Sequence, residues 1–182
     1  IRSNPPDRCY LCKKQLFGKL LEFAAERQVS VTMEGTNEDD LHVYRPGIRA
    51  VQELGVKSPL AEAGLTKAEV KALAAEYGIP PASRPSTPCM ATRLPYGAEL
   101  NYKVLKQIEE GEALLREMIG GNVRLRLHGD VARIEADGEN LEKAVALRGQ
   151  LISRLKALGF VYITLDLEGF RSGSMDVHIR RA

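Results

Sequence analysis

NVRLRLHGDVARIEAD, residues 122–137, decides the fold of the second half of this chain. Val123, Leu125 and Leu127 alternate strictly with Arg124, Arg126 and His128, the period of a strand with one apolar and one polar face. His128-Gly129-Asp130 is a hairpin turn signal. The alternation then resumes over 131–137, with Arg133 and Glu135 on the polar side. Upstream, NYKVLKQIEEGEALLREMIG (101–120) carries Val104, Leu105, Ile108, Leu115 and Met118 in one helical stripe. Downstream, 140–159 reads as a second helix with Asn140 as its N-cap, and FVYITLDLEG (160–169) as a strand. Residues 101–182 therefore predict α-β-β-α-β, an α+β domain with helices on one face of a small sheet.

The polar side of that hairpin bears Arg124, Arg126 and Arg133, and Arg93 lies in the loop before it. Arginines on neighbouring strands can clamp a phosphate bidentately. A sheet face turned to solvent accounts for the same alternation, and both readings stand.

Before residue 100 the pattern differs. Residues 10–27 place Leu11, Leu16, Leu20, Leu21 and Phe23 at helical spacing, and VSVTMEG (29–35) reads as a short buried strand ending on glycine. GIRAVQELG (47–55) is a short helix closed by Gly55. LTKAEVKALAAEYG (65–78) has Thr66 as N-cap, Glu69 as its capping-box partner and Gly78 past its end. Helix, strand, helix, helix is the later half of an α/β unit. The loop 79–100, rich in proline (Pro80, Pro81, Pro85, Pro88, Pro95), marks the boundary, with domains expected at 1–97 and 98–182. In MEGTNEDDL (33–41), Gly35, Thr36 and Asn37 lead into acidic residues opening a helical turn. Asp39 and Asp40 there, at the end of a strand, suit a Mg²⁺–phosphate site. Lys67 at a helix start is a candidate anion contact, although a plainly capped helix explains Thr66 and Glu69 as well.

With 182 residues, 44% of them hydrophobic, the chain can bury the cores of one or two globular domains. Its net charge of +2, without a basic run, argues against a general nucleic-acid binder. No apolar stretch is long enough for a membrane span, and no signal-peptide pattern is present. The opening IRSNPPDRCYLC lacks a methionine, so the chain is expected to be part of a longer one. Three cysteines cannot all pair, which points to reduced thiols and a cytoplasmic setting.

Cys9 and Cys12 form a Cys-x-x-Cys at the mouth of a helix, and Cys89 sits on the proline-framed loop four residues before Arg93. Three thiolates can converge on a metal centre. Two helix-terminal thiols with an unrelated loop thiol, or a redox dithiol, are the other readings open to the spacing alone.

GTNEDDL (35–41), YRPG (44–47), SPLAEAGLTKAEVKALA (58–74), CMATRLPYG (89–97) and RLRLHGDVARIE (124–135) together resemble the PP-loop ATP pyrophosphatase superfamily. Within it they are similar to the LarE family, the ATP-dependent sulfur transferases that build the nickel-pincer nucleotide cofactor of lactate racemase. LDLEGFRSGSMD (165–176) fits the same family, and the resemblance covers nearly the whole chain. It implies an α/β fold: the later part of a PP-loop (adenine nucleotide alpha hydrolase-like) parallel-sheet domain, then a small α+β domain for substrate binding and oligomerisation. The superfamily's Ser-Gly-Gly-x-Asp-Ser ATP loop is absent from these 182 residues and belongs upstream of Ile1, so this chain alone is expected to be inactive.

The resemblance implies that ATP, with Mg²⁺, adenylates a carboxylate of pyridinium-3,5-biscarboxylic acid mononucleotide. A sulfur nucleophile then displaces AMP to leave a thiocarboxylate. By the same resemblance Gly35, Thr36, Asn37 and Asp40 face the AMP or Mg²⁺ side, with Lys67 as a further nucleotide contact. Arg93 sits beside the sulfur and the substrate, Arg124 and Arg126 bind substrate phosphate, and Glu112 and Glu135 lie near that site. In one branch a single loop cysteine, here Cys89, gives up its own sulfur and becomes dehydroalanine. In another, three cysteines hold a [4Fe-4S] cluster that carries the sulfide, a layout matched by Cys9, Cys12 and Cys89. Family members form hexamers through the C-terminal domain, so a homo-oligomer is expected. A tRNA-thiolating member of the superfamily is the alternative, disfavoured by the weak basic balance, and a non-catalytic oligomerisation fragment is a further one.

Overall fold

The computed structural model describes residues 1–80, 88–171 and 173–175. Pro81 and Pro85 of the cysteine loop, and Asp176 and His178 near the C-terminus, lie outside the described residues. The chain forms two compact units, Pro5–Ser86 and Thr87–Ala182, with Arg2–Asn4 belonging to the second. The sequence pattern changes near residue 98, but residues 88–97 group with the second unit.

In the first unit, α1 (Arg8–Glu26) and α3 (Gly47–Glu53) pack together. Tyr10 donates its hydroxyl to Glu53 at 2.8 Å, Lys14 reaches the same carboxylate at 2.8 Å, and the Arg49 guanidinium stacks 3.8 Å from the centre of the Tyr10 ring. The helical period of α1 is as expected, but its apolar stripe is not an internal face: Leu16, Leu20 and Phe23 are exposed. VSVTMEG is likewise not a buried strand. A strand needs neighbours along its hydrogen-bonding edges, and here the only pairing among the described residues is an isolated parallel bridge between Met33 and Lys57. Val29, Val31 and Met33 are accordingly exposed. The acidic turn forms α2 (Glu38–Leu41), a further turn forms α4 (Pro59–Glu62), and α5 (Lys67–Glu76) follows. The capping box of α5 is present: Thr66 Oγ1 accepts from the Glu69 amide at 3.3 Å, and Glu69 accepts from the Thr66 amide at 2.8 Å.

The second unit follows the α-β-β-α-β expectation. After a 3₁₀ turn at Met90–Arg93 come α6 (Tyr102–Ile119), β1 (Val123–His128), β2 (Val131–Ala136), α7 (Leu141–Ala146), α8 (Arg148–Ala157) and β3 (Tyr162–Leu165). β1 and β2 are antiparallel with Arg124 opposite Glu135 and Arg126 opposite Arg133, a register that follows from the two-residue turn at Gly129 and Asp130. β3 runs parallel to β2, as the helical crossover through α7 and α8 allows. Ile108 and Leu115 of α6, Val123, Leu125, Ala132 and Ile134 of the sheet, and Leu151 and Leu155 of α8 form the core.

The expected single helix 140–159 is broken at Leu147, two residues before Gly149, a weak helix former in the first turn of α8. Asn140 holds the N-cap position of α7 as expected, but with αR backbone. It closes a 3₁₀ turn at Gly138–Asn140 and makes no side-chain capping bond.

Gly111 marks the closest approach of α6 to the sheet. A Cβ there would lie 2.6 Å from Leu125 Cδ2 and 3.1 Å from a Phe160 ring carbon. Alanine gains about 1 kcal/mol of helix propensity over glycine, but Leu125 is fully buried and cannot yield. Gly111→Ala is expected to destabilise the chain by about 1–3 kcal/mol net, read as a lower urea midpoint with an unchanged slope.

Candidate functional site

Among the described residues β1 lies at one edge of the three-stranded sheet, so its outward amides need partners from elsewhere. α6 supplies one: Glu112 Oε1 accepts from the Leu125 amide at 3.0 Å. The same carboxylate takes a two-pronged bond from Arg93, Nε to Oε1 at 2.7 Å and Nη2 to Oε2 at 3.0 Å. Arg93 and Glu112 are 1% and 2% exposed, which removes the solvent screening that weakens surface ion pairs. Arg116, one helical turn beyond Glu112, adds a contact at 3.4 Å.

Arg93 also fixes the cysteine loop. Its Nη1 donates to the Pro88 carbonyl at 3.2 Å and to Thr92 Oγ1 at 2.9 Å, while the Thr92 hydroxyl donates to the Cys89 carbonyl at 2.7 Å. Cys89 stands at the head of the 3₁₀ turn with its side chain exposed. Arg126 holds the other end of that turn by donating to the Thr92 carbonyl at 2.9 Å.

The arginine face of the hairpin is not a solvated surface. Arg124, Arg126 and Glu135 are all buried. Arg126 places Nε and Nη2 within 3.1 and 3.0 Å of Glu135 Oε2, and Arg133 Nη2 and the Ser174 hydroxyl bond Glu135 Oε1. Arg124 donates to the Val123 carbonyl and lies 5.1 Å from the centre of the Phe170 ring. Arg133 also pairs with Asp166 at 3.3 Å. Among the described residues of this cluster, the six guanidiniums of Arg93, Arg116, Arg124, Arg126, Arg133 and Arg171 face the four carboxylates of Glu112, Glu135, Asp166 and Glu168. The surplus of two positive charges matches a phosphate monoester, which carries about −1.5 to −2.

Burial alone pushes the Glu112 carboxyl up, but the Arg93 bond, the Leu125 amide and the charges of Arg93 and Arg124 together hold it below the usual range. Burial, then the charge of Arg93, depresses Arg124. Burial, then Arg133, depresses His128 and so favours the neutral imidazole.

The nucleotide candidates of the first unit are engaged in local structure. Asn37 and Asp40 cap α2 reciprocally, and Asp40 Oδ1 pairs with Arg45 at 2.9 Å. The Thr36 amide, just past Gly35, donates to Glu34, whose carboxyl is held low: burial opposes this, but bonds from Thr36 and Ser58 and the charge of Lys13 outweigh it. The Lys67 amide, the first donor of α5, is taken by Asp39 at 2.8 Å.

Cys9 and Cys12 lie one turn apart at the start of α1, both exposed, and no disulfide involves any of the three cysteines. Among the described residues, no three histidines, cysteines or carboxylates of either unit are gathered so that they could hold a metal ion. No described helix is long and apolar enough to cross a membrane.

Sequence reasoning missed Thr92, Arg116, Asp166, Phe170 and Ser174. The i, i+4 spacing of Glu112 and Arg116 could have flagged one of them; the others meet the site only through the fold.

No family model matches the chain. Three curated proteins are similar to it. An uncharacterized protein of Synechocystis sp. is 38% identical over 96% of this chain and 66% of its own length. An uncharacterized protein of Methanocaldococcus jannaschii is 36% identical over 94% of this chain and 67% of its own. Pyridinium-3,5-bisthiocarboxylic acid mononucleotide synthase of Lactiplantibacillus plantarum is 35% identical over the whole chain and 66% of its own length. The fold and these relatives define a mixed α/β class. Within it, the chain belongs to the LarE family, that of the synthase. Its mixed α/β architecture is compatible with a partial PP-loop-like domain. The chain spans just under two thirds of the length of the first two relatives.

Because Glu112 titrates lower folded than unfolded, its pairing contributes stability that is complete above the ordinary value of 4.5 and is lost as pH falls through the depressed one. Glu112→Gln is expected to lower the urea midpoint at pH 7 and to flatten its fall between about pH 5 and pH 3. An acid limb as steep as the parent's would assign that limb to other carboxylates.

Proposed function

We propose that this chain is part of an ATP-dependent sulfur transferase that converts pyridinium-3,5-biscarboxylic acid mononucleotide to its thiocarboxylate. The observation that carries the reading is the buried, net-cationic arginine face, in a chain related along its whole length to a synthase named for a bisthiocarboxylic acid mononucleotide. Arg124 and Arg126 bind the substrate phosphate. Arg93, held by Glu112, positions the Cys89 loop beside it.

The chemistry balances in two steps. A substrate carboxylate oxygen attacks the α-phosphorus of ATP, pyrophosphate leaves, and an acyl adenylate forms. A sulfur nucleophile attacks the acyl carbon, the C–O bond to AMP breaks, and the thiocarboxylate remains. ATP and Mg²⁺ belong to the first step.

Two sources of sulfur fit the cysteines. In the first, Cys9, Cys12 and Cys89 are the ligands of a [4Fe-4S] cluster, which when bound supplies a transferable sulfide. Exposed thiols one turn apart at a helix N-terminus can turn toward one centre, as cluster ligands must. In the second, the Cys89 thiolate itself attacks the acyl adenylate. Loss of its α-proton and cleavage of its Cβ–S bond then leave dehydroalanine and the thiocarboxylate. The hydrogen bonds of the 3₁₀ turn, which fix Cys89 next to Arg93, favour this reading independently. A homo-oligomer is part of the proposal in either case.

Arg126→Ala is expected to weaken binding of the mononucleotide by about 1.5–3 kcal/mol in calorimetry; unchanged affinity would remove Arg126 from the phosphate site. For the sulfur source, spent full-length protein is analysed by mass spectrometry. The cluster reading expects intact Cys89 after several turnovers and loss of the cluster spectrum in Cys9→Ser, Cys12→Ser and Cys89→Ser. Loss of the mass of hydrogen sulfide at residue 89, with turnover stopping at one, would establish the sacrificial route.

A further inference from the structure

The far end of the arginine face holds donors that the phosphate site does not use. His128 ends β1 on the side of Arg124 and Arg126, and Arg133 faces Arg126 across the hairpin. Arg133 bonds Asp166 and Glu135 through its terminal nitrogens, and Arg171 pairs with Asp166 and Glu168. Yet Arg133 Nε, Arg171 Nε and His128 Nε2 are each shielded from solvent and have no hydrogen-bond partner among the described residues. A folded protein leaves few buried polar atoms unsatisfied, because each carries a desolvation cost. Three nitrogens on residues around one end of one sheet face, two of them obligate donors, call for an acceptor. The Met175 thioether, 3.6 Å from Arg133 Nη2, is a poor one.

We propose that His128, Arg133 and Arg171 form a second anion subsite, for a carboxylate, on the same face as the Arg124–Arg126 phosphate site. The inference rests on the mononucleotide reading above and deepens it. A ring acid with two carboxylates must be held by the one that is not reacting while the other is activated. Its two groups then exchange places for a second round. From Arg124 to His128 the strand runs four residues, roughly 13 Å, which separates the phosphate end of a mononucleotide from its ring end. A carboxylate has lone pairs enough for all three nitrogens, with His128 in its Nε2–H tautomer, and its arrival displaces Met175 from Arg133.

The test compares two ligands on the full chain by calorimetry: the pyridinium mononucleotide with both carboxylates, and nicotinic acid mononucleotide, with one. The parent protein is expected to bind the biscarboxylate about tenfold tighter or more, the size of a charge-assisted contact. His128→Leu and Arg171→Met are each expected to bring the two affinities within about threefold, leaving the monocarboxylate's unchanged. Arg171 is partly exposed, so its variant avoids any folding role of His128. A preference for the biscarboxylate that survives both variants, or an equal loss on both ligands, overturns the subsite alone. Binding of neither nucleotide to the parent protein overturns the mononucleotide reading and the subsite with it.

Discussion

Glu112 is the hinge of the second unit's chemistry. One buried carboxylate satisfies the edge of β1 at Leu125, takes both prongs of Arg93 and so fixes the 3₁₀ turn that presents Cys89. A carboxylate in such a position costs a great deal to desolvate, and only the bidentate arginine and the amide make it tolerable. Neutralising either partner would leave the other buried and uncompensated. The arrangement therefore ties the integrity of the sheet edge to the placement of the cysteine loop.

The same logic extends along the sheet. Glu135 gathers Arg126, Arg133 and Ser174, and Arg126 passes the constraint back to the turn through the Thr92 carbonyl. Two buried carboxylates, one on α6 and one on β2, thus organise a set of guanidiniums that would otherwise repel one another. Because the cations outnumber the carboxylates by two, the face is both rigid and short of negative charge, the condition for a preorganised anion site. The depressed affinity of Arg124 for its proton has the same origin, burial beside Arg93.

The first unit presents the opposite case. Its caps are well made, as Thr66 with Glu69 and Asn37 with Asp40 show, but its apolar period is not matched by burial. Leu16, Leu20, Phe23, Val31 and Met33 stay exposed, and among the described residues the strand-like stretch has a single bridge. Local rules were satisfied there without a sheet to complete them.

Much of this was legible in the sequence. The alternation of residues 123–128 and 131–136 set the hairpin, its register and the shared face of Arg124, Arg126, Arg133 and Glu135, because a strand's period of two leaves no other choice. Capping chemistry placed α5, and the apolar stripe placed α6, for equally local reasons. Periodicity could not say which face would be buried. The arginine side reads as a solvent surface by composition, and only the packing of the 3₁₀ turn and of Phe170, Ser174 and Met175 against it makes it an interior. Nor could spacing reveal that Glu112 reaches Arg93 and Leu125, or that Asp166 and Ser174 join the cluster, since those contacts cross 13 to 39 positions of chain. Short-range patterns are written by backbone geometry and solvent preference. Charge pairing at a distance is decided by which side chains the fold brings into the same dry volume.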